Sequence, residues 1–78
     1  MTKRGEKMSQ KLKHNKLIGY RKMFGLNQTD IAKVLDIGLN TYSFKENNKT
    51  EFTISESIKI TKFLKEFNPE LTMDEIFL

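Results

Sequence analysis

Apolar and polar residues alternate at helical spacing near the middle of the chain. Ile31, Ala32 and Leu35 fall on one face of a helix, and the residues between them are mostly polar or charged. Asn27 can cap the N-terminus of this helix by accepting a backbone hydrogen bond. The pattern predicts a short amphipathic helix over about residues 28–35.

A second short helix is predicted directly afterwards, over about residues 39–46. Asp36 can adopt the left-handed conformation of the intervening turn, and Gly38 can cap the second helix. Ile37 and Tyr42 have the spacing of a hydrophobic staple, which fixes how the chain enters a helix. Two helices this short, joined by so brief a turn, must cross at a steep angle. The arrangement is a helix-turn-helix, whose second helix is shaped to enter a major groove.

One more helix is predicted before this pair, from about residue 14 or 15 to residue 24. It carries Leu17, Tyr20 and Phe24 on its inner face. Gly25 suits the left-handed position that follows a helix end.

Two further helices are predicted after the pair. Thr53 and Glu56 have the spacing of a capping box, and apolar residues then continue to about Phe67, before the single proline breaks the helix. A second capping box precedes a one-turn helix at residues 73–78. No strand pattern or internal repeat appears, so the sequence predicts an all-α bundle of five short helices.

The net charge of +4 is distributed unevenly along the chain. Residues 1–22 carry +7, residues 23–53 carry −1 and residues 54–78 carry −2. Residues 1–13 are polar and charged without an apolar stripe, which predicts a basic, flexible arm before a domain formed by residues 14–78. This distribution favours a polyanion approached from one side, with a solvated basic tail as the alternative.

The sequence lacks groups on which many other functions depend. Without cysteine it can form neither a disulfide nor a zinc–thiolate site, and it has no apolar run long enough to span a membrane and no signal peptide. We therefore expect a cytoplasmic protein. We expect His14, the single histidine, to be a solvent-exposed residue at a helix start rather than a metal ligand or catalytic base. No nucleophile stands in a pattern with a base, so we expect no enzyme, no metal and no cofactor.

A set of residues between Asn15 and Phe77 keeps a characteristic order and spacing. These residues are Arg21, Gly25 to Gln28, Ile31, Ala32, Leu35, Thr41 to Ser43, Lys45 to Asn47, Phe52 to Ile54 and Asp74 to Phe77. In this order they resemble the phage repressor and Cro class of helix-turn-helix proteins, also called the Xre or lambda-repressor-like family. The resemblance is to the short single-domain regulators found in bacteria and their prophages.

The resemblance implies a transcriptional regulator that binds double-stranded DNA, as a homodimer and without a small-molecule ligand. The residues that would read base edges are Leu39, Asn40, Ser43 and Phe44. The residues that would contact phosphates are Gln28, Asn47, Asn48, Lys49, Thr50 and Arg21. We expect the arm to add salt-sensitive affinity through Lys3, Arg4, Lys7, Lys11 and Lys13.

Two residues of the predicted reading face are apolar where the family commonly has polar ones. Leu39 and Phe44 can contact a thymine methyl group, but of this face only Asn40 suits a bidentate contact with adenine. We therefore expect a preference for T/A steps, or weak specificity. The alternative hypothesis is a protein-interaction module, antitoxin-like or an anti-repressor, that uses Leu39 and Phe44 as an apolar patch for another protein.

Two structural roles complete the predictions. Arg21 and Glu46 match a family pair that forms a partly buried salt bridge between the first helix and the end of the third. The alternative is an ordinary surface pair of little energetic effect. The apolar C-terminus is predicted to form a dimer seam through Ile76, Phe77 and Leu78.

Overall fold

The computed structural model describes residues 13–78 of the chain. Five α-helices follow one another: α1 Asn15–Met23, α2 Gln28–Leu35, α3 Leu39–Glu46, α4 Ile54–Leu64 and α5 Met73–Phe77. The described residues contain no strand, and the predicted all-α class is confirmed. None of these helices has the length and apolar composition that crossing a bilayer requires.

The helices enclose one apolar core to which each contributes. α2 packs against α3 and α4, while α5 packs against α1 and α4. The buried apolar side chains are Leu17, Ile31, Ala32, Leu35, Tyr42, Ile60, Leu64, Leu71 and Ile76. Tyr42 of α3 is fully buried in this core. Full burial of one large apolar side chain contributes roughly 1.5–3 kcal/mol, so the packing of Tyr42 holds α3 in place.

Local hydrogen bonds fix the starts of three helices. The Asn27 side chain accepts from the backbone N–H of Asp30 at 2.8 Å, and the Asp30 carboxylate accepts from the backbone N–H of Asn27 at 2.9 Å. Thr53 and Thr72 form the two predicted capping boxes in the same manner. These contacts satisfy backbone donors that a helix start leaves without partners.

The turn between α2 and α3 depends on one left-handed residue. Asp36 has φ 58° and ψ 46°, as the sequence predicted. The N–H of Ile37 then donates to the carbonyl of Ala32 at 3.0 Å, which closes the end of α2. Gly25 and Asn48 also have positive φ, of 73° and 62°, and they end α1 and begin the loop after α3.

The predicted end of α4, at about Phe67, is wrong, and not all apolar residues of this helix face the core. The helix ends at Leu64, because the N–H of Phe67 bonds to the carbonyl three residues back rather than four. Ile60 and Leu64 point into the core, whereas Ile54 is 78% exposed and Ile58 is 40% exposed. Apolar residues occur on both sides of this helix, and packing against α2 and α5 covers only one of them.

Candidate nucleic-acid interface

The outer side of α3 is open to solvent. Asn40 is exposed, Phe44 is 50% exposed and Leu39 is 47% exposed, while Ser43 is half-buried. Tyr42 and Glu46 of the same helix point into the core. Asn40 and Phe44, four residues apart, therefore share the face that a groove of DNA could meet.

One residue of this face was missing from the predicted set of base-reading residues. Thr41 is exposed and lies beside Asn40 and three positions before Phe44, so it shares their side of the helix. Its hydroxyl can donate and accept a hydrogen bond. Helical spacing from Phe44 was the signal that could have identified it.

The Arg21–Glu46 pair lies in the interior rather than on the surface. Arg21 is 7% exposed and Glu46 is 2% exposed. The Arg21 Nε donates to Glu46 Oε2 at 2.9 Å, and one terminal nitrogen donates to Glu46 Oε1 at 3.1 Å. The other terminal nitrogen donates to the carbonyl of Leu26 at 3.0 Å. This bidentate contact joins α1 to the last residue of α3.

The same carboxylate receives two more hydrogen bonds. The side-chain amide of Gln28 donates to Glu46 Oε1 at 2.8 Å, and the Tyr42 hydroxyl donates to Glu46 Oε2 at 2.7 Å. Burial alone would raise the pKa of Glu46, but the bonds from Arg21, Gln28 and Tyr42 outweigh it and lower that pKa. Burial, together with the bond to Glu46, raises the pKa of Tyr42. Glu46 is therefore a carboxylate that links α1, α2 and α3.

This network bears on two of the predicted phosphate contacts. Arg21 is buried and directs three N–H groups at Glu46 and Leu26, so its geometry suits the structural role better than a phosphate contact. Gln28 is half-buried and is the first residue of α2. Its amide has two N–H donors, and the bond to Glu46 uses one of them. The second donor, next to the N-terminus of α2, suits a phosphate.

The loop after α3 lies beside the reading face. Lys49 and Thr50 are exposed, whereas Asn47 and Asn48 are half-buried. The Asn47 side chain turns back to donate to the Ser43 carbonyl at 2.8 Å. The Lys49 ammonium lies 6.0 Å from the centre of the Phe44 ring, so a positive charge adjoins the open side of α3.

A second ion pair, which the sequence did not reveal, holds the end of α3 to the start of α4. The Lys45 ammonium lies 3.0 Å from Glu56 Oε1 and donates to the carbonyl of Glu51 at 3.1 Å. Burial would raise the pKa of Glu56, but bonds from the Thr53 backbone and from Lys45 lower it. Consecutive residues of α3, Lys45 and Glu46, thus anchor its last turn on opposite sides.

The described residues include the whole predicted dimer seam but only one basic residue of the predicted arm. Ile76 is 1% exposed and packs in the core of its own protomer, so it cannot contact a partner. Phe77 is half-buried and Leu78 is 82% exposed, so Leu78 offers most of the surface of the seam. Lys13 is exposed, and the other basic residues of the arm, Lys3, Arg4, Lys7 and Lys11, lie outside the described residues.

His14 directly precedes α1, as predicted, but it is half-buried rather than fully solvent-exposed. Its ring centre lies 5.2 Å from that of Phe52 and 6.0 Å from that of Phe77, and its Nε2 is buried without a hydrogen-bond partner among the described residues. Its backbone N–H donates to the carbonyl of Glu46 at 3.0 Å. Burial lowers the pKa of His14, and the charge of Glu46 opposes this only in part. The described residues contain no group of three or more potential metal ligands.

Acidification is expected to destabilise the fold in two separate pH ranges. The lowered pKa of His14 means that the unfolded chain binds a proton more readily than the folded one, so stability falls as the pH drops below 6.5. A His14→Phe variant should lose this dependence. Both proteins should then lose stability below pH 4.5, where the depressed pKa of Glu46 applies. Urea denaturation across the pH range measures both effects; an identical decline of the two proteins between pH 6.5 and 4.5 would contradict the role of His14.

The fold and the open face of α3 define a helix-turn-helix DNA-binding domain. The sequence model of a family described as helix-turn-helix matches residues 17–69, from α1 to the turn after α4. The match covers more than half of the chain, which therefore belongs to the Cro/C1-type, Xre-like helix-turn-helix family of DNA-binding regulators. No curated protein and no solved structure matches the chain significantly. The family predicted from the sequence is confirmed.

Proposed function

We propose that the protein is a sequence-specific transcriptional regulator of the phage or prophage repressor/Cro type. It binds as a homodimer and inserts α3 of each subunit into successive major grooves. The observation that carries this proposal is the open side of α3, with Asn40 and Phe44 exposed beside Lys49 on a helix whose opposite side is buried.

Phosphate contacts position the protein on the duplex. Lys49 and Thr50 are exposed in the loop beside Phe44, and Gln28 has an N–H donor to spare at the start of α2. Asn47 and Asn48 set the course of this loop. The contacts flank α3 on two sides, which is the arrangement that would fix its register in a groove.

Base contacts come from the outer face of α3. Asn40 can bind the N6 and N7 positions of adenine, and Leu39 and Phe44 can contact thymine methyl groups. Ser43 is half-buried and accepts from Asn47, so it contributes less than the sequence implied. The preferred sites are therefore rich in A·T pairs.

The basic arm contributes affinity that does not depend on sequence. Removal of residues 2–12 eliminates Lys3, Arg4, Lys7 and Lys11, and the salt dependence of DNA binding should become shallower by roughly 0.9 in log–log slope for each phosphate that the arm no longer neutralises. The melting temperature should stay the same, because the buried apolar residues of the described part of the chain, from Leu17 to Ile76, pack against one another. Fluorescence anisotropy at several salt concentrations measures the slope, and an unchanged slope would show that the arm is a passive tail.

A protein-interaction module is the second candidate, and the exposure of Leu39 and Phe44 favours it. The two functions predict different effects of Leu39→Ala and Phe44→Ala. If the protein is a sequence-specific regulator, these substitutions should change its base preference while the fold is retained. If it is an interaction module, they should leave its DNA affinity unchanged and abolish binding of its protein partner. Ile54→Ala is the matched control, because Ile54 is a 78% exposed apolar residue on α4. DNA binding measured on A·T-rich and G·C-rich duplexes separates the outcomes.

A further inference from the structure

A groove of about 410 Å³ lies between α1 and α5. Its lining residues are Lys16, Gly19, Tyr20, Met23 and Glu75. Met23 is 71% exposed, although an apolar side chain of this size gains from burial. Nothing in residues 13–78 covers the groove.

The floor of the groove contains a glycine that the protomer does not need. Gly19 lies in the middle of α1, where glycine is among the poorest helix-forming residues. A Cβ atom at this position would meet no atom within 4 Å. Packing inside the protomer therefore gives no reason for glycine, whereas close approach of a second chain does.

Charges of opposite sign stand on the two walls. Lys16 is exposed on α1, and Glu75 is exposed on α5. The capping box holds the Glu75 carboxylate in place, because Oε1 accepts from the backbone N–H of Thr72 at 3.0 Å. A surface that carries both signs can complement a second copy of itself, because a twofold contact that pairs one residue with another of the partner copy also forms the reverse pair.

The groove also lies apart from the proposed DNA-binding face. Gly19 and Met23 are each two positions from Arg21, and therefore roughly 160–200° around the helix from it. Arg21 points at Glu46, the last residue of α3. A copy seated in the groove would leave α3 and Lys49 free to meet DNA.

We propose that this groove is the surface through which two copies of the chain associate, with Met23 buried against the other copy and Lys16 paired with Glu75 across the twofold axis. The proposal rests on the proposed function in one respect, namely that a homodimer presents two α3 helices to DNA. The proposed surface does not include Ile76 of the predicted dimer seam, because Ile76 is buried. Lys16 also lines a second depression, and this depression reaches Leu78. Because Leu78 is exposed, it extends the same surface.

The Gly19→Gln variant is expected to increase the stability of the fold and to weaken association of the two copies. Glutamine forms helix better than glycine and meets no obstacle in the protomer, so the melting temperature at monomeric concentrations should rise by about 2–5 °C. Its side chain occupies the groove, so the dissociation constant of the dimer, measured by sedimentation equilibrium on the full chain, should rise by at least about tenfold. A variant that folds more stably yet associates less well cannot be explained by misfolding.

Two further groove-lining residues are each tested by a variant with a matched control. Lys16→Gln should weaken the dimer, whereas Lys22→Gln, which removes the same charge elsewhere on α1, should not. Met23→Gln should weaken it, whereas Ile54→Gln on α4 should not. Glu75→Gln preserves the capping box and removes only the charge, so it should weaken the dimer and reduce its sensitivity to salt.

Two results would overturn the proposal. One is an unchanged dissociation constant for Gly19→Gln, which would place the dimer interface elsewhere. The other is a wild-type chain that stays monomeric alone and occupies a selected duplex with a single copy. In the first case, specific DNA binding by the wild-type chain would leave the proposed dimeric regulator intact. In the second case, it would leave a sequence-specific regulator but refute the homodimer. Absence of DNA binding by a stable dimer would refute the regulator but not the groove.

Discussion

Replacement of Glu46 with glutamine is expected to lower the free energy of unfolding by about 3–5 kcal/mol. The substitution keeps the shape of the side chain but removes the charge that Arg21, 7% exposed, requires in the interior. The glutamine amide also directs N–H donors at the donors of Arg21 or Gln28. Because Glu46 ends α3, specific DNA affinity should fall along with stability. Urea denaturation and DNA binding of the same samples measure both.

Two comparisons make this prediction specific. Glu56→Gln alters another carboxylate in an ion pair, but one that is partly exposed, and should reduce stability by about 1 kcal/mol or less. Arg21→Met combined with Glu46→Gln removes the unpaired buried charge, so the double variant should be less destabilised than the sum of the two single variants. A loss for Glu46→Gln no larger than that for Glu56→Gln would refute the role assigned to the buried network.

Replacement of Asn40 with alanine is expected to weaken binding to a specific site by about 1–3 kcal/mol in free energy and to relax discrimination at one adenine position. Asn40 is exposed and has no structural bond within the described residues, so the free energy of unfolding should change by less than about 0.5 kcal/mol. Binding to random-sequence duplexes should change little, because phosphate contacts dominate there.

The control for this variant is Asn68→Ala. Asn68 is also exposed, but it lies beyond α4, and its side-chain oxygen accepts from the backbone N–H of Glu70. It should leave both kinds of DNA binding unaltered. Competition binding with duplexes that differ at single positions makes the comparison. Equal discrimination by wild type and Asn40→Ala at every position would exclude Asn40 from base recognition.

The parts of the fold that the sequence predicted best are those set by local contacts. The bounds of α2 and α3 match the prediction because Asn27, Asp36 and Gly38 define their ends through bonds within a few residues. The course of α4 was harder to predict. Its apolar residues lie on two sides of the helix, and the positions of α2 and α5 decide that Ile60 is covered and Ile54 is not.

The site shows the same division between local and long-range information. The resemblance identified Arg21 and Glu46 as partners, but the additional bonds from Gln28 and Tyr42 follow from the packing of three helices around one carboxylate. The partial burial of His14 likewise depends on the aromatic rings of Phe52 and Phe77, which are far away in the sequence. The resemblance, by contrast, was enough to assign Asn40 and Phe44 to one predicted reading face, and their spacing of four residues places them on the same side of α3.

Selection of bound duplexes from a random-sequence DNA library, at near-physiological salt, tests the proposed function most directly. A dimeric regulator should enrich an A·T-rich pseudo-palindrome with half-sites about one helical turn apart, roughly 10 base pairs from centre to centre. The same selection with Asn40→Ala should lose an adenine preference in each half-site. Retention of DNA without any enriched sequence, or no retention at all, would contradict sequence-specific regulation and favour a role for the Leu39 and Phe44 surface in binding another protein.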